Sequence, residues 1–441
     1  MRKITIERFG PIKKIDVTLD KNLSVIIGQQ ASGKSTFAKT VYFCRKIRDY
    51  CFDYANMIMG SEKINESELY LNFLKYLRKL FMGYFGTTKH MNQFSIRYFF
   101  ECLDERYVTI TLDTDGYARF KFSPELEREL KVVLEAVAEF AGENDDSWMM
   151  DIYERRKHFS GILKKRIMKV FADDEKLLYI PAGRNMLALL SESINLSPVL
   201  GYGEKVNIEQ TDLITQEFIM YISSIKSTFG SRLDEITKNY LKTVQGQIRN
   251  RDVEVASELI HNILRGDYIA DSDGEKLYYD TEHWVKIMFA SSGQQEILWA
   301  LNMIFLTILK NEKTFLVFEE PESHLFPDAQ ENIAKLVGLM INSSKSEVLI
   351  TTHSPYMLTS FNMLIYSSNV EKDKSTGSIV DKWFRIEKNS VAAYAIGIDK
   401  IGKNGTLVNL LGKETGLIDA YQIDHVSAQI NEIMDRLFDL E

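Results

Sequence analysis

Gly28-Gln29-Gln30-Ala31-Ser32-Gly33-Lys34-Ser35, with Thr36 directly after it, is the stretch that decides the fold. It matches the phosphate-binding P-loop at every required position, and the segment Lys21 to Ile27 ahead of it reads as the strand such a loop leaves. The spacing has a chemical reason. Glycines let successive backbone N–H groups curl around phosphate oxygens, the Lys34 ammonium neutralises the β and γ oxygens, and the Ser35 hydroxyl ligates Mg²⁺. The amphipathic stretch Phe37 to Ile47 predicts a helix that starts near Lys34 and turns the positive end of its dipole toward the anion. The expectation is a chain that binds ATP with Mg²⁺, the residues from Gly28 to Thr36 forming the cradle.

A P-loop enzyme also needs carboxylates opposite its Lys-Ser pair. Phe315-Leu316-Val317-Phe318 reads as an apolar strand, and Glu319-Glu320 at its end would be exposed at the carboxyl edge, where open α/β sheets bind ligands. Glu319 would hold Mg²⁺ through water, and Glu320 would position or deprotonate the attacking water. Val348 to Thr352 is a second β-branched strand, tipped by His353, whose imidazole could donate to the γ-phosphate or be a satisfied structural histidine. Ser291-Ser292-Gly293-Gln294 precedes the apolar run Ile297 to Leu309. Small residues at a helix start make an anion nest or an ordinary serine cap, and because one P-loop is already a complete cradle, the nest would serve the nucleotide of another subunit.

Of the 441 residues, 45% are hydrophobic and 26% charged, the balance of a globular chain with room for two or more packed units. The run Ile297 to Leu309 is shorter than the roughly 20 residues a bilayer needs, so it reads as a buried core helix. The N-terminus lacks the apolar core of a signal peptide, so a cytoplasmic location and no membrane partner are expected. Cys44, Cys51 and Cys102 have neither disulfide nor zinc spacing and read as small core residues. A net charge of −8 argues against a chain coated for nucleic acid. The exception is Arg155 to Lys169, with Arg155, Arg156, Lys157, Lys164, Lys165, Arg166 and Lys169 and no acid among them. It reads as a solvated helix face or a surface for acidic stretches ahead of a nucleic-acid track.

Ile4 and Ile6, then Ile15, Val17 and Leu19, alternate on either side of a turn at Phe9-Gly10-Pro11, which predicts an antiparallel ribbon leading into a parallel core. Strands are expected at Ser95 to Phe100, Tyr107 to Asp113, Tyr117 to Phe122, Leu177 to Ile180, Lys276 to Asp280 and Val285 to Phe289. Ser123-Pro124 reads as a helix start that runs to Gly142. The expected division is 1–122 as the N-terminal half of the nucleotide domain, 123–266 as a mainly helical insertion, and 267–441 as the C-terminal half with a helical tail. Pro181-Ala182-Gly183-Arg184 stays open: Arg184 could sense phosphate or a partner, although a structural turn is the simpler reading.

Taken in order, the P-loop, Ser-Ser-Gly-Gln-Gln, the Glu-Glu strand and Thr352-His353-Ser354-Pro355 resemble the ABC-type ATPase head. More narrowly, Glu319-Glu320-Pro321-Glu322-Ser323-His324-Leu325-Phe326-Pro327 resembles the SMC, RecF and OLD-like group of ATPases, many of whose bacterial members serve in anti-phage defence. The resemblance implies an α/β head with a mixed core sheet, an antiparallel N-terminal ribbon and an inserted helical region. It implies that Glu320 is the catalytic glutamate, Glu319 assists the metal, His353 is the switch histidine, and Ser292 and Gly293 act on the nucleotide of a partner in a homodimer or higher even-numbered oligomer. Gln93 is a candidate for the metal-sensing glutamine of such heads or a plain surface residue. Glu319 stands where the wider family has aspartate, and the signature departs from the Leu-Ser-Gly-Gly-Gln of transporters. The implied role is the sensor or regulatory subunit of a defence system with a separate effector, a nuclease or toxin, and nucleic acid as a further candidate partner. The alternative is a RecF-like repair ATPase that clamps DNA directly.

Overall fold

The computed structural model describes residues 1–60, 68–103, 105–142, 149–184, 211–243, 250–370, 379–397, 405–419 and 432–436. In chain order the strands are β1 (Lys3–Phe9), β2 (Ile12–Thr18), β3 (Leu23–Ile27), β4 (Ser95–Glu101), β5 (Arg106–Leu112), β6 (Ala118–Phe122), β7 (Lys176–Ile180), β8 (Asp267–Asp271), β9 (Gly274–Tyr278), β10 (Trp284–Lys286), β11 (Thr314–Glu319), β12 (Glu347–Thr352), β13 (Val391–Ile396) and β14 (Leu407–Asn409). They form sheets of order β2-β1-β4-β5-β6, β10-β9-β8 and β14-β13-β3-β12-β11-β7. The chain divides into two units, one of Met1–Asp20, Ala31–Leu177 and Gly397–Leu407, the other of Lys21–Gln30, Leu178–Ile396 and Val408–Glu441. No helix among the described residues is long and apolar enough to cross a membrane.

In the first unit the expected ribbon is present, β1 and β2 pairing antiparallel with Ile6 opposite Ile15, and β4, β5 and β6 extend it antiparallel into a five-stranded sheet. Period-two burial of Ile96, Tyr98 and Phe100 in β4 and of Phe120 and Phe122 in β6 gives the sheet one apolar face. Helices Lys34–Met59, Leu69–Phe85 and Pro124–Gly142 supply the opposing aromatic and aliphatic side chains. Phe43 lies 5.3 Å from Phe81 and 6.1 Å from Phe120, ring centroid to centroid, and Phe9 lies 4.9 Å from Phe94. Such tilted and edge-to-face pairs add to plain burial. Cys44 and Cys51 are fully buried here, as small core residues, and burial pushes the Cys51 thiol up to about 12.

The same unit buries an ion cluster. Arg45 Nε donates to Asp173 Oδ2 at 2.9 Å and its Nη2 to Glu175 Oε2 at 3.1 Å, Arg48 Nη1 donates to the Asp173 carbonyl at 2.9 Å, and Arg2 Nη2 lies 3.3 Å from Asp173 Oδ1. Burial alone would raise the Asp173 carboxyl, but the guanidinium of Arg45, aided by Arg2 and Arg48, overrides it and holds the group below its ordinary value. Asp173→Asn strands buried arginine charge and is expected to cost about 3–5 kcal/mol, read as a lowered urea midpoint. A depressed carboxyl contributes stability above its unfolded value, here 3.8, and loses it as the pH falls through the folded value. Acid titration of stability below that point should therefore be flatter in the variant than in the wild type.

The second unit is built on the six-stranded sheet, where β13, β3, β12 and β11 run parallel. All six residues of β11 and all five of β3 are buried, because both faces are covered, which accounts for their mostly apolar sequences, broken only by Ser24, Thr314 and Glu319. The helix Ser292–Lys310 contains the expected core helix, buried on every side from Glu296 to Leu309. Several elements differ from the sequence reading, β14 among them. The strand expected over Val285 to Phe289 stops at Lys286, since Ile287–Phe289 form a 3-10 turn that delivers the chain to the Ser291 cap. β8 pairs with β9 across a tight turn at Asp271–Gly274, and its two flanking aspartates mask it in sequence. β13 lies beside β3 in the core, but its alanines carry little strand propensity.

Candidate active site

The phosphate loop follows β3 and ends in the helix Lys34–Met59, which starts at the residue the sequence predicts. Gly33 has φ 108°, and a Cβ placed there would come within 2.9 Å of Ile12 Cγ1, so the position admits only glycine. Ala31 also takes a left-handed φ of 60°. The helix begins with no acidic residue in its first turn, leaving its amino-terminal N–H groups and dipole uncompensated from within. Lys34 is 6% exposed, Ser35 is exposed and Thr36 half-buried, while Gln29 and Gln30 are exposed. Ser32 Oγ is buried without a hydrogen-bond partner, an orphaned donor of the kind a phosphate oxygen would satisfy.

Within the second unit, parallel pairing gathers a further set of candidate residues. Ile27 lies opposite Thr352 and Glu319 opposite Thr351, so Gly28, His353 and Glu320 all leave the sheet at the same carboxyl edge. Glu319 is 3% exposed; its Oε2 accepts from the Ala182 N–H at 3.3 Å, and its Oε1 has no hydrogen-bond partner. A buried carboxylate oxygen with spare capacity fits a water of a Mg²⁺ shell. Glu320 adopts φ 43° and its N–H donates to the Thr351 carbonyl at 2.9 Å. Its half-exposed carboxylate lies 3.6 Å from His353 Nε2.

Two residues that the sequence reading did not resolve organise this edge. Glu322 Oε1 accepts from Thr352 Oγ1 at 2.7 Å and from the His353 N–H at 2.6 Å, fastening the tip of β12 to the loop after β11. Burial raises its carboxyl above the ordinary value against the pull of those two donors. Arg184 is fully buried. Its Nη1 donates to the carbonyls of Pro181 at 2.8 Å and Glu319 at 2.6 Å, Nη2 to the carbonyl of Glu320 at 3.1 Å, and Nε to the carbonyl of Glu296 at 3.1 Å. Burial pulls its pKa below the usual arginine value, opposed first by Glu296 and then by Glu319. Of the two readings left open at Arg184, the structural one fits: each of these guanidinium donors goes to backbone. Three of the four acceptors lie more than a hundred residues away in sequence, which local pattern cannot reveal.

Ser291 caps the helix Ser292–Lys310 in a capping box, its Oγ accepting from the Gln294 N–H at 3.3 Å while Gln294 Oε1 accepts from the Ser291 N–H at 3.0 Å. Gln294 Nε2 donates to the Leu264 carbonyl at 2.7 Å. Ser292 stays exposed, and Gly293 is buried, where a Cβ would lie 2.5 Å from the His324 carbonyl oxygen. A cavity of about 450 Å³ beside it is lined by Arg265, Ser291, Gly293, Gln294, His324 and Phe326, among others. Gln93 sits exposed in the irregular segment before β4, in the first unit, whereas Glu319, Glu320 and His353 belong to the second.

A family model for the AAA ATPase domain matches residues 1–358. No curated protein matches the sequence. Among solved structures, the chain is similar to an SMC head bound to the C-winged helix domain of ScpA, at 13% identity and TM-score 0.41, covering 92% of this chain and 96% of that one. It is also similar to the SMC head domain from Thermotoga maritima, at 11% identity and TM-score 0.34, covering 92% and 97%.

Proposed function

Given that this chain belongs to the AAA ATPase domain family, we propose that it binds and hydrolyses ATP as an ABC-type head, two copies enclosing two nucleotides. The observation that carries the reading is the shared carboxyl edge, where Gly28, Glu319, Glu320 and His353 leave register-matched parallel strands. On this reading Lys34 and the loop N–H groups bind the phosphates, Glu320 accepts the proton of the attacking water, and His353 donates toward the γ-phosphate. Mg²⁺, held by Ser35 and by Glu319 through water, would neutralise the phosphate charge. Ser292 and Gly293 lend the start of their helix to the nucleotide of the partner copy. ATP then joins the copies, and its hydrolysis releases them.

The test is the mass of the Glu320→Gln chain by analytical ultracentrifugation, with and without Mg²⁺-ATP. A dimer that forms only with nucleotide and is lost on adding Ser292→Arg supports the composite site. A monomer at saturating ATP refutes it.

The downstream role we favour is the sensor or regulatory subunit of a bacterial anti-phage defence system that controls a separate effector. Support comes from the motif order that resembles the SMC, RecF and OLD-like group. Affinity capture from the native host followed by mass spectrometry should recover one stoichiometric nuclease or toxin; recovery of the chain alone would count against this role.

A RecF-like DNA clamp is the second reading, favoured by one observation. The helix Met149–Val170 exposes Arg156, Lys157, Lys164, Lys165, Arg166 and Lys169 to solvent. Charge reversal at Arg156, Lys164 and Lys165 should leave DNA affinity and its salt dependence unchanged if the helix face is merely solvated. A clamp predicts a slope of log K against log salt shallower by about 0.9 for every phosphate that the reversed side chains no longer neutralise.

A further inference from the structure

We infer that Arg184 is a positioning residue for hydrolysis: it holds the backbone of Glu319 and Glu320 where their carboxylates act, and ties that geometry through Glu296 to the first turn of the helix Ser292–Lys310. The inference rests on the reading of Glu319 and Glu320 as hydrolytic residues. The guanidinium reaches the successive carbonyls of Glu319 and Glu320 from two different nitrogens, at 2.6 and 3.1 Å. A planar fork can span two acceptors in this way, and a lysine ammonium, a single point charge, cannot reproduce it. One of those carbonyls belongs to Glu320, whose left-handed φ of 43° is a conformation that a side chain with a Cβ keeps only when its surroundings fix it.

The other side of the guanidinium is bound to the signature helix. Nε donates to the Glu296 carbonyl at 3.1 Å, the Arg184 N–H donates to Glu296 Oε1 at 3.1 Å, and Nη2 lies 3.8 Å from the same oxygen. Glu296 is 2% exposed. It follows Ser292-Gly293 by one turn, so a shift of that helix start moves the acceptors of Arg184, and through them the two acids. Filling the space would need only an apolar side chain; a desolvated charge is kept in place by acceptors arranged around it.

The test compares full-length wild type, Arg184→Lys, Glu296→Gln and Glu320→Gln by steady-state phosphate release across ATP concentration, with ATP affinity measured separately. Arg184→Lys should bind ATP within about threefold of wild type and keep its KM, while kcat falls by about 10²-fold, the effect of a small misplacement of reacting groups. Glu296→Gln, which keeps the shape and removes the charge, should show the same split with a fall in kcat of about tenfold. If Arg184→Lys does not fold, Glu296→Gln decides by the same split. A kcat within about twofold of wild type in both variants overturns the inference, as does a parallel loss of ATP binding and turnover, the mark of a purely structural role. Wild-type turnover that Glu320→Gln abolishes and Arg184→Lys retains overturns this inference alone; a wild type without turnover overturns the hydrolytic reading as well.

Discussion

Glu320→Gln is expected to bind ATP normally and to turn it over about 10² to 10⁴ times more slowly than wild type, the usual worth of a general base. Glutamine keeps the length of the side chain and has a carbonyl oxygen to set beside His353, which lies 3.6 Å from the present carboxylate. The backbone N–H to the Thr351 carbonyl at 2.9 Å, and the Arg184 bond to the Glu320 carbonyl, are untouched by the exchange. What is lost is the capacity to take a proton from water. The Glu320 carboxylate is half-exposed, whereas Glu319 is 3% exposed. Phosphate release and equilibrium binding of a fluorescent ATP analogue measure the two halves of the expectation. Turnover within about threefold of wild type would remove Glu320 from the role of base.

Lys34→Ala is the second large effect, and it falls on binding. The ammonium is expected to make two charge-assisted hydrogen bonds to phosphate oxygens, each worth about 1.5–3 kcal/mol, so affinity should drop by at least about 10²-fold. Lys34 opens its helix, and alanine is a better helix former than lysine, so the fold does not suffer through propensity. Its burial at 6% exposure limits how far water can stand in for the lost charge. Calorimetric titration with Mg²⁺-ATP gives the constant directly. Unchanged affinity together with full hydrolysis would mean the phosphates bind elsewhere.

Much of this arrangement was legible in the residues themselves. A P-loop reads out because its constraints are local: Gly33 must be glycine, and Lys34 and Ser35 must follow it. β3, β11 and β12 announce themselves because strands covered on both faces lose the polar alternation that would disguise them. The helix expected after Ser123 starts at Pro124 and ends at Gly142. Illegible were the features fixed by distant partners. Arg184 takes its meaning from carbonyls of Glu296, Glu319 and Glu320, and Glu322 from the tip of β12. β13 escaped because Ala392, Ala393 and Ala395 suit a crowded core position beside β3 without displaying strand character. The 3-10 turn at Ile287–Phe289 has apolar residues that read as strand, yet it is followed directly by the Ser291 cap of the next helix.

The capping box at Ser291 and Gln294 has a consequence for how the signature can drift. Both side chains are committed to closing the helix end and to the Leu264 carbonyl, so any anion arriving there is met by main-chain amides and the Ser292 hydroxyl. Amides are common to every residue type except proline. Exchanges at 291 and 294 should therefore surface first as loosened helix ends, and a replacement that caps equally well should leave the main-chain amides there unchanged, so the start of this helix stays chemically conservative while its letters change.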